Sequence, residues 1–412
     1  MRGTRMLARA LGVERGVIED VREEEGVGFV VRVRPRREHR QRCPHCGVRC
    51  PGYDAGAGAR RWRTHDLGTA RAFIEAEAPR VECAEHGVVV SQVPWARHGS
   101  GFTSTFEDTI AWLAVRTDKT TLSGLMRVAW RTVGAIVERV CAEARKSRPP
   151  FEGVRKIGID EVSYRKGHRY LTVVVDHDTG RLLWAQPGRD EKTLRKFFRA
   201  LGANGRAAIE LVSADAASWI GNVVREQCPQ AILCIDPFHV VAWASKALDE
   251  VRRAMWNELR ERGETERAKA LKGSRWALAK NPEDLTRKQK RKLRTIEADN
   301  VDLFHSYIIK EQLREIFKTK GALSTYMLDA WLEWVEQSNL MPFKKVARAI
   351  RANRTGIDCA LRYGLSNARV ESMNTKLKLL TRMAFGFHSH EPLIALAMLK
   401  LGGLCPPLPR AT

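Results

Sequence analysis

Three apolar segments of this chain stop on an aspartate: RKIGID at Asp160, AIELVSAD at Asp215 and AILCID at Asp236. A buried strand that ends in a carboxylate delivers hard oxygen ligands to a sheet edge, the donor type that Mg2+ and Mn2+ prefer. Two such cations about 4 Å apart activate the nucleophile and stabilise the leaving oxygen in phosphoryl transfer on nucleic acids. Asp236 has a histidine three positions later, in Asp236-Pro-Phe-His239. Taken alone, Asp236 is as good a metal ligand as Asp215. A fourth carboxylate, Glu371 in SNARVESMNTKLKLLTRMAFGF, opens a helical stretch whose next cations are Lys376, Lys378 and Arg382.

A second ligand set suits a different metal. Cys43-Pro-His-Cys46 and Cys83-Ala-Glu-His86, each followed by a glycine, are two knuckles that offer Cys43, Cys46, Cys83 and His86 to a tetrahedral zinc. Four protein ligands leave no open position, so the site reads as structural. His45, Cys50 and His65 compete, but Cys50 breaks the knuckle spacing and His65 has no companion ligand. One cysteine cluster with the remaining thiols scattered argues for a metal site, not a disulfide framework. Reduced thiols without metal are the plainer alternative.

Periodicity names the elements that must carry these groups. VIEDVRE and FVVRVR read as two strands around a turn, and GARRWRTHDL and ARAFIEAEAPRVEC as hairpin strands within a zinc ribbon. TFEDTIAWLAVRT, TTLSGLMRVA and WRTVGAIVERV read as three helices in helix-turn-helix order, with Arg127, Arg131 and Arg139 as candidate DNA contacts. A plain three-helix bundle fits the same pattern. SRPP at 147–150 marks a linker. Beyond it come three strands, then helix, strand, helix, strand and helix, the order of an RNase H-like fold. That order sets the fourth strand beside the first, so Asp160 and Asp215 become neighbours, while Asp236 lies one strand further out. Residues 245–360 are charged and helical; their run RKQKRKLR reads equally as a solvated face or a DNA-contacting one.

The expected fold is therefore multidomain, α+β with α/β. Residues 1–100 hold an N-terminal β segment and zinc ribbon, and 101–150 the helix-turn-helix. Residues 151–244 form the first part of an RNase H-like catalytic core, 245–360 an all-helical insertion, and 361–412 the last helices and tail. With 71 Lys and Arg against 48 Asp and Glu, the chain carries a net charge of +23, which suits a polyanionic partner and salt-dependent binding. The basic start lacks the apolar core and cleavage site of a signal peptide, and no membrane-length apolar window occurs, so a cytoplasmic location is expected.

These motifs together resemble the bacterial insertion-sequence transposases of the ISL-three family, over nearly the full length. The resemblance rests on CPHCG…VECAEHG, the helix-turn-helix, IGIDEVSYRKGHRYLTVVVD, LVSADAASW, DPFHVV, ALDEVRR and SNARVESMNTKLKLLTRMAFGF. It implies a DDE transposase with Asp160, Asp215 and Glu371 as the acidic triad on two Mg2+ or Mn2+ ions. It also implies that the 156-residue separation of Asp215 and Glu371 holds the helical insertion. Two departures stand out: His86 where the family usually has cysteine, and Ser372 where it more often has glycine. The Asp236-x-x-His239 pair resembles a motif that supports the active site in related families with helical insertions. By the same likeness Trp331 and Trp334 are candidates to stack on an extruded base, although tryptophans at helical spacing are usually core. The implied partners are double-stranded DNA, both the terminal inverted repeats and the target, and a second copy of the chain. A DNA-binding regulator derived from a transposase is the main alternative, and it needs no acidic triad; a stand-alone RNase H-like nuclease needs neither DNA-binding module.

Overall fold

The computed structural model describes residues 2–148, 151–319, 321–364, 367–384, 387 and 389–409. The two prolines of the expected linker, Pro149 and Pro150, lie outside them. The chain forms two compact units, Met1–Pro149 with Leu380–Thr412, and Pro150–Leu379.

In the first unit, helix α1 (Arg2–Ala10) precedes strands β1 (Gly16–Glu24), β2 (Gly28–Pro35), β3 (Gly52–Asp54), β4 (Ala59–Leu67), β5 (Ala70–Glu77), β6 (Arg80–Cys83) and β7 (Gly87–Val90). They make two sheets, β1-β2-β5-β4 and β3-β6-β7. The expected ribbon hairpin of β4 and β5 is thus corrected: the two pair with each other, but β5 also runs parallel to β2. The reason is apolar area. Trp62 on β4 and Ile74 on β5 bury against Val31, Val33 and Trp95, a core that the ribbon is too small to supply. The ribbon sheet buries mainly Cys43, Cys50, Val81 and Cys83.

Three helices follow: α2 (Ser104–Ala114), α3 (Lys119–Met126) and α4 (Trp130–Ser147). Thr103 caps α2 by accepting from the Phe106 N–H, and Asp118 caps α3 by accepting from Thr120 and Thr121. Arg127 closes α3 in the left-handed region, φ 52°, which turns the chain sharply into α4. Glu107 of α2 is fully buried, and its charge is met by Arg97 at 3.2 Å and Arg139 of α4 at 2.8 Å, with Ser100 Oγ donating at 2.7 Å.

The second unit opens with β8 (Lys156–Arg165), β9 (Arg169–Asp176) and β10 (Leu182–Pro187), then α5 (Glu191–Ala208), β11 (Leu211–Ala214), α6 (Ser218–Gln227) and β12 (Ile232–Ile235). The sheet order is β10-β9-β8-β11-β12. β8 to β10 are antiparallel, while β11 runs parallel to both β8 and β12. This is the RNase H-like arrangement read from the sequence, with the fourth strand beside the first. Phe197, Phe198 and Leu194 of α5 and Val223 of α6 cover one face over Ile157, Ile159 and Val212.

Helices α7 (Pro237–Glu261), α8 (Thr265–Lys272), α9 (Arg275–Ala279), α10 (Arg287–Asp299), α11 (Val301–Lys318), α12 (Ala322–Gln337), α13 (Met341–Ala352) and α14 (Arg354–Tyr363) come next, with no strand among the described residues. They enclose their own core, including Leu248, Tyr307, Leu313, Phe343 and Ile350. Trp331 belongs to it: it is 2% exposed, and its Nε1–H donates to the Ile309 carbonyl at 2.9 Å. That removes it as a base-stacking residue. Trp334 is half-buried, with its ring 5.1 Å from that of His305.

The last helices are α15 (Ala368–Met383) and α16 (Glu391–Leu401). α16 packs on α4, and the Arg148 guanidinium donates to the Gly403 carbonyl at 3.0 Å, both within the first unit. Among the described residues no helix is long and apolar enough to cross a membrane.

Removing one partner of a buried charge cluster leaves the others desolvated and unpaired. Glu107→Ala should therefore destabilise the first unit by about 3–5 kcal/mol, read as a lowered denaturant midpoint; a change within error would show that Arg97 and Arg139 do not depend on it.

Candidate active site and zinc centre

The ribbon brings its four expected ligands together. Cys43, Cys46, Cys83 and His86 place one ligand atom each within 4.8 Å of one another. Cys46 Sγ lies 3.7 Å from Cys83 Sγ, and His86 Nδ1 lies 3.7 Å from Cys43 Sγ and 3.6 Å from Cys83 Sγ. A tetrahedral zinc with bonds of ~2.3 Å to sulfur and ~2.0 Å to nitrogen requires ligand edges of about 3.8 and 3.6 Å. The pocket fits zinc. Its contact with His86 holds the Cys83 thiol down at about 6, toward the thiolate a metal needs. The competing residues are otherwise engaged: the Cys50 thiol faces the Val48 carbonyl, His65 Nε2 meets Thr109 Oγ1 at 2.9 Å, and His45 stacks on His86.

In the second unit Asp160 on β8 and Asp215, directly after β11, come together as the strand order requires, joined by Glu161. Strand alternation would point Glu161 away from its neighbour. Instead the Asp160 carboxylate folds back along the strand and accepts the Glu161 N–H at 2.7 Å. Burial pushes the Asp160 carboxyl up to about 6, and the nearby Asp215 adds to that. Burial also raises Glu161, whose Oε1 has no hydrogen-bond partner. A half-buried group of three carboxylates, with Asp160 and Glu161 pushed toward neutrality and an oxygen left unpaired, suits a divalent cation.

Asp236 and His239 adjoin this cluster. Asp236 is 2% exposed and caps α7, with Pro237 in the first helical position. Its Oδ1 accepts from Phe238 N at 3.4 Å and from Asn367 N at 3.3 Å. His239 Nε2 sits 2.5 Å from Asp215 Oδ1 and 3.9 Å from Asp236 Oδ2. Its contact with Asp215 raises its pKa, which favours the protonated ring beside that carboxylate.

Glu371 stands apart from the acidic cluster; its side chain is exposed on the first turn of α15. Its neighbours on that helix make the close contacts. Asn374, one turn on, donates from Nδ2 to Asp160 Oδ2 at 2.7 Å. A β-carbon on Gly158 would collide with Val370 Cγ2, so only glycine lets α15 come this near β8. Beneath the acids, His177 Nε2 and Ser213 Oγ are 2.6 Å apart, and Ser213 in turn donates to Asn367 Oδ1. Burial holds His177 down at about 4, neutral. Asn374, Glu161 and the His177–Ser213–Asn367 chain escaped the sequence reading; Asn374, at i+3 from Glu371, is the one that helical spacing could have flagged.

The basic candidates divide. Arg127 is tied to Asp66 and to the Thr69 carbonyl at 2.9 Å, and Arg139 to Glu107. Both guanidinium groups hold the fold together. Arg131, Lys376, Lys378 and Arg382 are exposed.

Comparison with known families covers the three segments that carry these residues. Residues 157–397 match the ISL3 DDE family, described as "Transposase". Residues 91–141 match "Helix-turn-helix domain of transposase family ISL3", and residues 39–86 match "zinc-finger of transposase IS204/IS1001/IS1096/IS1165". A "Transposase for insertion sequence element IS1557" from two strains of Mycobacterium tuberculosis is 51% identical over 434 aligned positions, covering 99% of this chain and 98% of that protein. A "Transposase for insertion sequence element IS1001" from Bordetella parapertussis is 27% identical, covering 85% and 86%.

Two expectations follow. The purified chain should carry one zinc, released on unfolding and scored with a chelating dye; Cys83→Ser should lose it and Cys50→Ser keep it, and the reverse pattern would reassign the ligands. His177, depressed from 6.5 to about 4 in the fold, contributes stability that is complete above pH 6.5 and lost as pH falls toward 4. Asp160, pushed up to about 6, contributes the opposite slope over that range. The comparison is therefore wild type minus His177→Gln: the variant should lose less stability between pH 6.5 and 4, by up to about 3 kcal/mol, and parallel curves would refute a buried neutral His177.

Proposed function

The chain belongs to the ISL3 family of DDE transposases, and from that premise we propose that Asp160, Asp215 and Glu371 are its catalytic acids. The observation that carries the proposal is the pairing of Asp160 and Asp215 on adjacent parallel strands, with the helix that bears Glu371 anchored to Asp160 through Asn374. As a transposase the protein binds DNA and uses divalent metal, and its ribbon is a zinc site. Two Mg2+ or Mn2+ ions, held by these three acids, would activate the attacking hydroxyl and stabilise the leaving oxygen.

The chain's own residues prepare that site. The Glu161 N–H and the Asn374 amide fix both oxygens of Asp160. His239 holds Asp215 in place, and Asp236 orients the first turn of α7 that carries His239. Glu371 stands one turn before Asn374 on α15, and this reading requires its exposed carboxylate to turn toward Asp160 and Asp215. The substrates in this reading are the terminal inverted repeats of the element and a target duplex. Hydrolysis frees a 3′-OH at each end, and that hydroxyl attacks the target phosphodiester in line. The zinc ribbon and helix-turn-helix recognise the ends, with Arg131 as the exposed contact of α4. Cutting two ends in one complex calls for at least two copies of the chain.

The test uses DNA bearing the repeats that flank the coding region, with Mg2+, and follows both strand cleavage and joining. Asp160→Asn, Asp215→Asn and Glu371→Gln should each lower the cleavage rate by about a thousandfold or more, on the order of 4 kcal/mol or more in the barrier. Asp236→Asn should retain more activity than Asp215→Asn. Undiminished cutting by Asp160→Asn would sink the assignment; cutting without joining would favour a plain nuclease.

A further inference from the structure

Helix α10 carries Arg287, Lys288, Lys290, Arg291, Lys292 and Arg294 within eight residues and no acid among them. Five of the six are exposed and Lys292 is half-buried. Among the described residues none of them forms an ion pair, although cations elsewhere in the insertion do: Arg314 with Glu283 and Glu311, Lys318 with Glu315, Arg351 with Glu336, Arg354 with Asp358.

This arrangement works against the helix that bears it. Arg287 and Lys288 occupy its first turn, where the dipole disfavours cations, while Glu297 and Asp299 sit toward its end, where it disfavours anions. Like charges also meet at i, i+3 and i, i+4, as in Lys288 with Arg291 and with Lys292. The helix persists because the Thr286–Gln289 capping box closes its start and Ile296 is buried in the insertion core. A cationic set that lowers local stability and lacks internal partners is arranged for an external anion. Between α8 and α10 lies a groove of about 700 Å3, lined by Arg267, Lys288, Arg291 and Lys292 over an apolar floor of Leu271 and Ile296, with Asp299 its single acid.

We propose that α10 and this groove form a docking face for the sugar-phosphate backbone of duplex DNA, additional to the helix-turn-helix. The proposal rests on the reading that the chain handles DNA, and the face it names is within the insertion. A row of unpaired cations along one helix neutralises phosphates without reading bases, so this face supplies affinity and register, and its contribution is salt-dependent.

The experiment measures binding of the full-length chain to mixed-sequence duplex DNA across a range of salt concentrations. Each phosphate contact contributes roughly 0.9 to the slope of log affinity against log salt. The triple variant Lys288→Gln, Arg291→Gln, Lys292→Gln should have a slope shallower by roughly two to three, and an unchanged or higher thermal midpoint because repulsion is relieved. A control of equal charge loss at paired sites, Lys269→Gln, Lys345→Gln, Arg351→Gln, should keep a slope close to wild type. An unchanged slope in the first variant, or an equal loss in the control, overturns the proposal. Lys288→Arg, Arg291→Lys, Lys292→Arg separates charge from folding: it should retain the wild-type slope, and loss there also overturns it. Asp160→Asn keeps the two readings apart, since cleavage surviving in that variant would refute the catalytic assignment while leaving the slope comparison intact.

Discussion

The close approach of α15 to β8 is the constraint on which the centre of this protein depends. It exists because residue 158 has no side chain, so that Val370 fills the space a β-carbon would take. From that contact the rest follows by helical and strand geometry. Asn374, one turn beyond Val370, reaches the far oxygen of Asp160, and Asn367, one turn before, reaches Ser213 and the carboxylate of Asp236. Strands β8 and β11, the cap of α7 and the start of α15 are thus joined by a few buried hydrogen bonds, each strengthened by the low dielectric around it. The same low dielectric raises Asp160 and depresses His177, so burial both stiffens the site and prepares its charges.

The helical insertion is compatible with this accuracy because it leaves and rejoins the sheet at one place. It departs through α7, directly after β12, and its last helix, α14, packs back on β12, where Gly356 lies against the Leu233 carbonyl. Between those points it supplies its own core, so its size adds little strain to the strands. More than a hundred residues are thereby held between β12 and α15 without interrupting the sheet.

Much of this was legible in the sequence. The aspartates Asp160 and Asp215, the two knuckles, and the run of strand and helix periods were enough to set the sheet order and to single out the four residues that the ribbon brings together, although Asp160 lies inside β8 and does not end it. Other features were not, and the reasons are physical. β5 joins β2 because Trp62 and Ile74 need a larger apolar face than a ribbon offers, and pairing across distant segments leaves no local signature. Arg127 and Arg139 looked like free cations because charge partners such as Asp66 and Glu107 are chosen by tertiary contact. The buried Trp331 followed the ordinary fate of a tryptophan at helical spacing. The segment expected over 361–412 as the last part of the catalytic core is divided, since Leu380–Thr412 groups with the first unit, where α16 packs on α4.

That last contact bears on how the protein is made. Residues 391–403 complete a layer whose other half, α4, ends at Ser147. At a synthesis rate of about 5–20 residues per second, α4 waits roughly 10–50 s for its partner to leave the ribosome. Through that interval α2 and α3 can cover their side of α4, but the face that meets α16 has no partner from its own unit. Loss of residues 391–403 would therefore uncover the α4 layer of the first unit, far in sequence from the residues removed.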